Sequence, residues 1–332
     1  MVALALMTVT AATRPIVIAH RGASGERPEH TIASYTRAIE QGADFIEPDL
    51  VATKDGVLVA RHENEISETT DVAEHPAFAA RRTTKTIDGR AVTGWFTEDF
   101  TLAELKTLRA RERLPALRPG NTAYADERIP TLDEVIALAK AHGVGIYPET
   151  KHPSHFRALG LPLEPPLLAA LAKAGWTERE APVFIQSFEV DNLKMLRGQT
   201  RVRLIQLVDA EGAPADGAAE SYAAMLTPAG LKAIAGYADG IGPAKALVIP
   251  RDTAGRSAPP TRLVADAHAA GLAVHPWTFR AENMFLPAEL RRGDARGAHG
   301  DVVAEMRAFV AAGVDGLFSD FPALAVEAVG KK

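Results

Sequence analysis

Two histidines close apolar runs rich in β-branched residues. His20 ends Ile16-Val-Ile-Ala-His20, and His62 ends Val57-Leu-Val-Ala-Arg-His62. Imidazole changes charge near neutral pH, so two of them at one rim suit an acid–base pair, each worth about 10²–10⁴ in rate. Three carboxylates occupy comparable places. Glu47 and Asp49 lie two residues apart in a strand-like run, which points both to one face; Glu149 ends a second such run. Buried carboxylates cost several kcal/mol each unless they are paired or hold a metal. A divalent cation with oxygen ligands, Ca²⁺ or Mg²⁺, is the simplest way to neutralise three of them together. Zinc fits less well, because the chain has no thiols and the two histidines are wanted for proton transfer. The competing arrangement is a dry ion-pair network with Arg21 and Lys151. Arg21 offers a planar fork for phosphate, and Lys151 a point cation for developing charge. The other eight of the ten histidines read as packing residues.

These side chains meet only if their strands are neighbours. The pattern predicts strands at 16–20, 44–51, 145–149, 183–187, 203–208, 239–242, 273–278 and 315–319. Helical segments separate them. Thr31 caps one that Gly42 closes, Thr131-x-x-Glu134 opens another as a capping box, and others fall near 166–175, 189–197, 227–236, 260–271 and 301–312. The run 57–62 follows 44–51 after only Thr53-Lys-Asp-Gly56, a hairpin turn that sets His62 roughly across from Asp49. With 57–62 as the return arm of that hairpin, eight strands alternate with helices. This is the (β/α)₈ TIM barrel, whose catalytic residues stand at the C-terminal ends of strands. His20, Arg21, Glu47, Asp49, Glu149, Lys151, Gln186, Ser187, Trp277 and Asp320 all fall at such ends.

Residues 63–130 break the alternation and read as a small subdomain inserted after the second strand, with Trp95, Phe96, Phe100 and one short helix capped by Thr101-x-x-Glu104. The barrel domain is then 15–62 and 131–332. Residues 1–14 are nearly free of charge and read as the remnant of a signal peptide or as a flexible start. One internal echo stands out: Gly42-Ala-Asp44 with Asp49 and Gly313-Val-Asp315 with Asp320 repeat at the same offsets.

Composition narrows the classes. A net charge of -5 argues against nucleic-acid binding. The absence of cysteine excludes disulfides, thiolate catalysis and cysteine metal sites. No apolar run is long enough for a transmembrane segment.

The ordered strings His20-Arg-Gly-Ala-Ser-Gly-Glu-Arg-Pro-Glu-His-Thr31, Gly42-Ala-Asp-Phe-Ile-Glu-Pro-Asp49, Thr53-Lys-Asp-Gly56, Tyr147-Pro-Glu-Thr-Lys-His-Pro153, Gln186-Ser-Phe-Glu189, Pro276-Trp-Thr-Phe279 and Gly313-Val-Asp-Gly-Leu-Phe-Ser-Asp-Phe-Pro322 resemble the glycerophosphodiester phosphodiesterase family, most closely its larger bacterial periplasmic or secreted type. The resemblance implies a barrel with an insertion after the second strand. It also implies His20 and His62 as acid and base, Glu47, Asp49 and Glu149 as ligands of one divalent cation, Arg21 and Lys151 on phosphate, and Trp277 at the glycerol end. Glu63 stands where the family commonly has Asp after the second histidine, so it is left out of the ligand set. Pro48, which has no N–H, is expected to bulge the second strand or cost it a ladder bond. The implied reaction cleaves a small-molecule glycerophosphodiester to glycerol 3-phosphate and an alcohol, by direct water attack or through the substrate's own 2-hydroxyl. The implied location is periplasmic or secreted, with the cytoplasm as the alternative. Two other readings compete: a barrel phosphodiesterase on intact phospholipids, entered over an apolar surface at Trp95, Phe96 and Phe100, and a non-catalytic glycerophosphodiester-binding protein.

Overall fold

The computed structural model describes residues 14–331, so nearly all of the segment read as a signal remnant or flexible start lies outside the described residues. The described residues form thirteen strands. They are β1 (Ile16–His20), β2 (Phe45–Glu47), β3 (Asp49–Ala52), β4 (Leu58–Ala60), β5 (Thr83–Ile87), β6 (Arg90–Gly94), β7 (Gly145–Ile146), β8 (Glu149–Thr150), β9 (Phe184–Ser187), β10 (Arg203–Val208), β11 (Gly240–Pro243), β12 (Ala273–Val274) and β13 (Gly316–Ser319).

Two prolines explain why eight barrel positions carry more than eight segments. Pro48 separates β2 from β3, and Pro148 separates β7 from β8. Neither can donate to the ladder, yet both carbonyls still accept: Glu149 N–H reaches the Pro48 oxygen at 3.0 Å and Gln186 N–H the Pro148 oxygen at 2.9 Å. Parallel pairing runs from β13 through β1 and β2 to β7, and from β3 through β8, β9, β10 and β11 to β12. The ring closes where Asp315 N–H and Phe318 N–H donate to the carbonyls of Val274 and Pro276 at 2.9 and 3.2 Å. β4 lies antiparallel to β3, so 57–62 is a hairpin arm and the barrel count stays at eight. Its register is one residue off the sequence expectation. Arg61 N–H meets the Asp49 carbonyl, and His62 lies one residue beyond. The seventh strand is shorter than 273–278, because Pro276 ends its regular ladder.

Among the described residues eleven helices accompany the strands: α1 (Ile32–Glu40), α2 (Leu102–Leu105), α3 (Leu132–His142), α4 (Pro153–Ala158), α5 (Glu164–Ala174), α6 (Val190–Arg197), α7 (Tyr222–Met225), α8 (Pro228–Ile234), α9 (Leu263–Ala269), α10 (Val302–Ala311) and α11 (Pro322–Ala328). Thr31 caps α1, and both capping boxes form, at α2 and α3. The short α4, α7 and α11 have no counterpart in the sequence reading.

The barrel interior is small and aromatic. Ile18, Phe45, Tyr147, Phe184, Ile205 and Phe318 form one cluster. Tyr147 stacks on Phe184 at 5.0 Å and meets Phe318 edge-on at 4.9 Å, contacts worth about 0.5–1.5 kcal/mol each beyond area burial. Two residues further along the same strands come His20, Glu47, Glu149, Gln186 and Asp320. Strand alternation therefore sets a polar layer directly on an apolar floor.

Between β4 and α3 the chain forms the β5–β6 hairpin, α2 and several short 3₁₀ turns. Trp95, Phe96 and Phe100 are buried there, Phe100 against Phe78 at 5.1 Å. Trp95 and Phe100 belong to the same hydrophobic core as the barrel strands, and Phe96 is fully buried, so the apolar entry surface required by the phospholipid reading is absent at these residues.

Candidate functional site

The polar layer opens into a cavity of about 440 Å³ at the C-terminal end of the barrel. His20, Arg21, Glu47, Asp49, His62, Glu149, Lys151 and Trp277 all line it. All eight residues singled out in the sequence thus come together.

The first strand delivers His20 and then turns sharply. Arg21 has φ 57° and Gly22 φ 86°, both in the left-handed region. A Cβ on Gly22 would also lie 2.4 Å from the Ser34 hydroxyl, so glycine is required there by conformation and by space. The turn aims the Arg21 N–H at Glu47 Oε2, 2.7 Å away. Register does the rest: His20 pairs with Glu47, Asp49 with Glu149, and Glu149 with Gln186.

One ligand oxygen each from Glu47, Asp49 and Glu149 lies within 4.8 Å of the others. The electrostatics of this triad are unsettled by protein partners alone. Burial together with Asp49 and Glu149 pushes the Glu47 carboxyl well above its ordinary range. Burial and Asp49 outweigh Lys151 and lift Glu149 to about 8. Asp49 goes the other way: burial opposes its ionisation, but Lys151 and His30 hold it well below the usual carboxylate range. Lys151 pairs with Glu149 at 2.8 Å, and Arg21 sits 3.5 Å from Asp49. The ion pairs weighed as a competing arrangement are therefore present, but they are incomplete. Asp49 Oδ1 and Gln186 Oε1 are buried without a hydrogen-bond partner among the described residues, and so is the Arg21 Nε–H. Unspent oxygens beside three carboxylates fit an oxygen-ligated divalent cation, and an unspent guanidinium donor fits a phosphate oxygen.

Each imidazole is held from behind. His20 Nδ1 lies 2.6 Å from Asp320 Oδ1, and His62 Nδ1 is hydrogen-bonded to Glu63. With carboxylates as acceptors, both rings carry the proton on Nδ1 and offer Nε2 to the cavity. Burial, then Arg21, lowers the His20 ring to about 4. Burial, then Arg21 and Lys151, lowers His62 to about 3. Both shifts favour the neutral ring. Trp277 is anchored by its indole N–H on the Gly242 carbonyl at 2.8 Å and stands edge-on to Phe188 at 5.8 Å.

Several residues escaped the sequence reading. His30 was counted among packing histidines, yet its Nε2 lies 2.9 Å from Asp49 Oδ2 and its Nδ1 2.8 Å from the Tyr35 hydroxyl. Its place directly before the helix cap Thr31 was the available signal. Gln186 donates to Glu47 at 2.9 Å. Asp320 was noted at a strand end without a role. Glu63, set aside as a ligand, indeed turns to His62 rather than to the triad.

The glycerophosphoryl diester phosphodiesterase family model matches residues 20–324. A glycerophosphodiester phosphodiesterase of Arabidopsis thaliana is 39% identical over 330 residues, covering 93% of this chain and 84% of its own length. One from Haemophilus influenzae is 30% identical, over 94% of this chain and 89% of its own. The fold is similar to that of an Oleispira antarctica phosphodiesterase solved with sn-glycerol-3-phosphate, with TM-score 0.65, 23% identity and coverage of 96% and 98%. The chain belongs to the glycerophosphoryl diester phosphodiesterase family.

Proposed function

We propose that this protein hydrolyses glycerophosphodiesters to glycerol 3-phosphate and an alcohol, with His20 and His62 as the proton-transfer pair. The observation that carries the reading is one cavity lined by two carboxylate-backed imidazoles, a buried acidic triad with an unspent oxygen, and a buried guanidinium with an unspent donor.

Glu47, Asp49 and Glu149 would hold a divalent cation, which when bound neutralises charge on the phosphate and on a nearby hydroxyl oxygen. Arg21, whose Nε–H makes no hydrogen bond and lies 3.5 Å from Asp49 Oδ2, turns positive charge toward a phosphate oxygen, and Lys151 adds a second positive charge. The anion seated between the rings favours a charged imidazole against the burial and the Arg21 field that lower both of them, so one ring takes up a proton as the substrate binds. The neutral imidazole takes a proton on Nε2 from the attacking oxygen, either water directly or the substrate's own 2-hydroxyl, as the new P–O bond forms; in the second route water then opens the cyclic phosphate with the two rings exchanging roles. The carboxylate behind it stabilises the imidazolium. The other ring gives its proton to the departing alcohol oxygen as the old P–O bond breaks. Trp277 and Phe188 offer an apolar wall for the carbon skeleton.

Phosphorus NMR of the purified protein with glycerophosphocholine, with and without chelator, tests this. Glycerol 3-phosphate appearing only when divalent ion is present is the expected result. Choline phosphate would mean that the other ester bond is cut. No phosphorus product under either condition would reject hydrolysis.

A further inference from the structure

Both carboxylates behind the site histidines are gripped by arginines from one short stretch of the insertion. Arg118 donates to Asp320 Oδ2 at 2.6 Å, to Glu282 Oε1 at 2.6 Å and to the Ser24 carbonyl at 2.9 Å. Asp320 holds His20, and the Ser24 hydroxyl donates to the His20 carbonyl at 2.9 Å. Arg118 thus touches the partner of the ring and the loop that follows its backbone. Arg113, five residues earlier, makes four bonds. Its Nε and Nη2 fork onto Glu29 at 2.9 and 2.7 Å, while its Nη1 and Nη2 reach Glu63 at 3.2 and 2.6 Å. Glu63 holds His62, and Glu29 also accepts from Arg21 Nη1 at 2.9 Å. The spacing of the two arginines is fixed by a tight turn in which the Leu114 carbonyl accepts from the N–H groups of Leu117 and Arg118 at 2.9 and 2.8 Å.

We infer that Arg113 and Arg118 are positioning residues for the reaction: through Glu63 and Asp320, one turn of the insertion sets the orientation of His62 and His20 together. This rests on the reading of those two histidines as the proton-transfer pair. The chemistry of the contacts favours orientation over simple attachment. A carboxylate that must both receive an imidazole N–H and stay fixed needs its second oxygen occupied, and a guanidinium fork does this with defined geometry. Asp320 Oδ1 faces His20 while Oδ2 takes Arg118, with Arg280 at 3.0 Å. Lysine can supply the charge but cannot serve two acceptors in one plane.

The test compares Arg118→Lys and Arg113→Lys with Asp71→Asn in the full-length protein. Asp71 accepts from Arg109 N–H at 2.7 Å and from Arg111 at 3.3 Å inside the insertion and touches neither histidine chain. Arg118→Lys is expected to lower kcat on glycerophosphocholine about 10²-fold with KM unchanged, because misplacing a reacting group by about 1 Å costs that much. Arg113→Lys is expected to lower kcat and also raise KM, since Glu29 steers Arg21. Asp71→Asn should lower the melting temperature and leave kcat in place. Nitrogen-15 imidazole NMR provides a readout independent of turnover: both rings should be Nδ1–H tautomers in the wild type and tautomer mixtures in the lysine variants. Wild-type kcat in both lysine variants, unchanged ring tautomers, or an equal loss of kcat in Asp71→Asn would each overturn the inference. An inactive wild type would instead reject the proposed function, and the NMR comparison would still decide whether the arginines orient the rings.

Discussion

The two ends of the barrel use the same residue types for opposite purposes. At the N-terminal end three aspartates each accept a backbone N–H from a neighbouring strand. Asp44 takes Val17, Asp239 takes Leu204 and Asp315 takes Val274, all at 2.8 Å. Each is also paired outward: Asp44 with Arg14 and Lys331, Asp239 with Arg179 and Arg197, and Asp315 with His268. At the C-terminal end Glu47, Asp49 and Glu149 face one another, and a buried oxygen is left over. The first arrangement spends every carboxylate on holding strands in register. The second leaves charge unbalanced, which is unfavourable for the fold and useful to a ligand. A carboxylate's contribution to stability or to chemistry thus depends on which end of a strand it occupies.

The sharpest separation of the two ends comes from substitutions at the mouth. His20→Ala and His62→Ala are expected to lower kcat by about 10²–10⁴ each, with melting temperatures near wild type. Glu47→Gln should also lose activity; burial, Asp49 and Glu149 already disfavour its charge, but one of the two acceptors that serve Arg21 N–H and Gln186 is lost, so a stability loss of about 1 kcal/mol goes with it. Kinetics and thermal melts on the same preparations check both; a folded His62→Ala enzyme with normal turnover would remove His62 from the mechanism.

The opposite end should show the reverse pattern. Asp239→Ala strands the Leu204 N–H and two arginines, so an unfolding free-energy loss of about 1–3 kcal/mol is expected with kcat unchanged. Urea titration and steady-state kinetics measure the two sides. A kcat loss beyond the unfolded fraction would mean that the ends are coupled.

The smallest effect concerns pH. Burial opposes ionisation of Asp44, but Arg14, Lys331 and the Val17 N–H outweigh it and lower the carboxyl to about 2. A depressed folded pKa contributes stability above the unfolded value near 4 and loses it as pH falls toward 2. Asp44 is partly exposed, so the contribution is about 1–2 kcal/mol after screening. Asp44→Asn should be less stable than wild type at pH 6, with the gap closing below pH 3 in denaturant melts.

Much of the mouth could be read from the chain because strand alternation is a local rule. Glu47 and Asp49 at i and i+2, or His20 two residues beyond Ile18, need no tertiary information to share a face. Pro48 announced its break in the ladder for the same reason. The register of β4 on β3 was missed by one residue, since hairpin register depends on turn geometry that composition fixes only loosely. His30 was missed because no strand carries it; a left-handed turn at φ 54° brings it to Asp49. Arg118 lies 202 residues from Asp320, and no spacing rule reaches that far. The Gly-x-Asp echo at Asp44 and Asp315 was visible, but its meaning as a strand clamp, and the same clamp at Asp239, where Tyr237 stands in place of the glycine, required the backbone partners.

The central claim is that the acids at the mouth are arranged around a divalent cation beside the two imidazoles. Calorimetric titration of Ca²⁺ and of Mg²⁺ into the chelator-treated protein, and into Asp49→Asn, tests it most directly. The account predicts one saturable site per chain in the wild type and its loss or strong weakening in the variant. Absence of binding in the wild type, or equal affinity in Asp49→Asn, would contradict it.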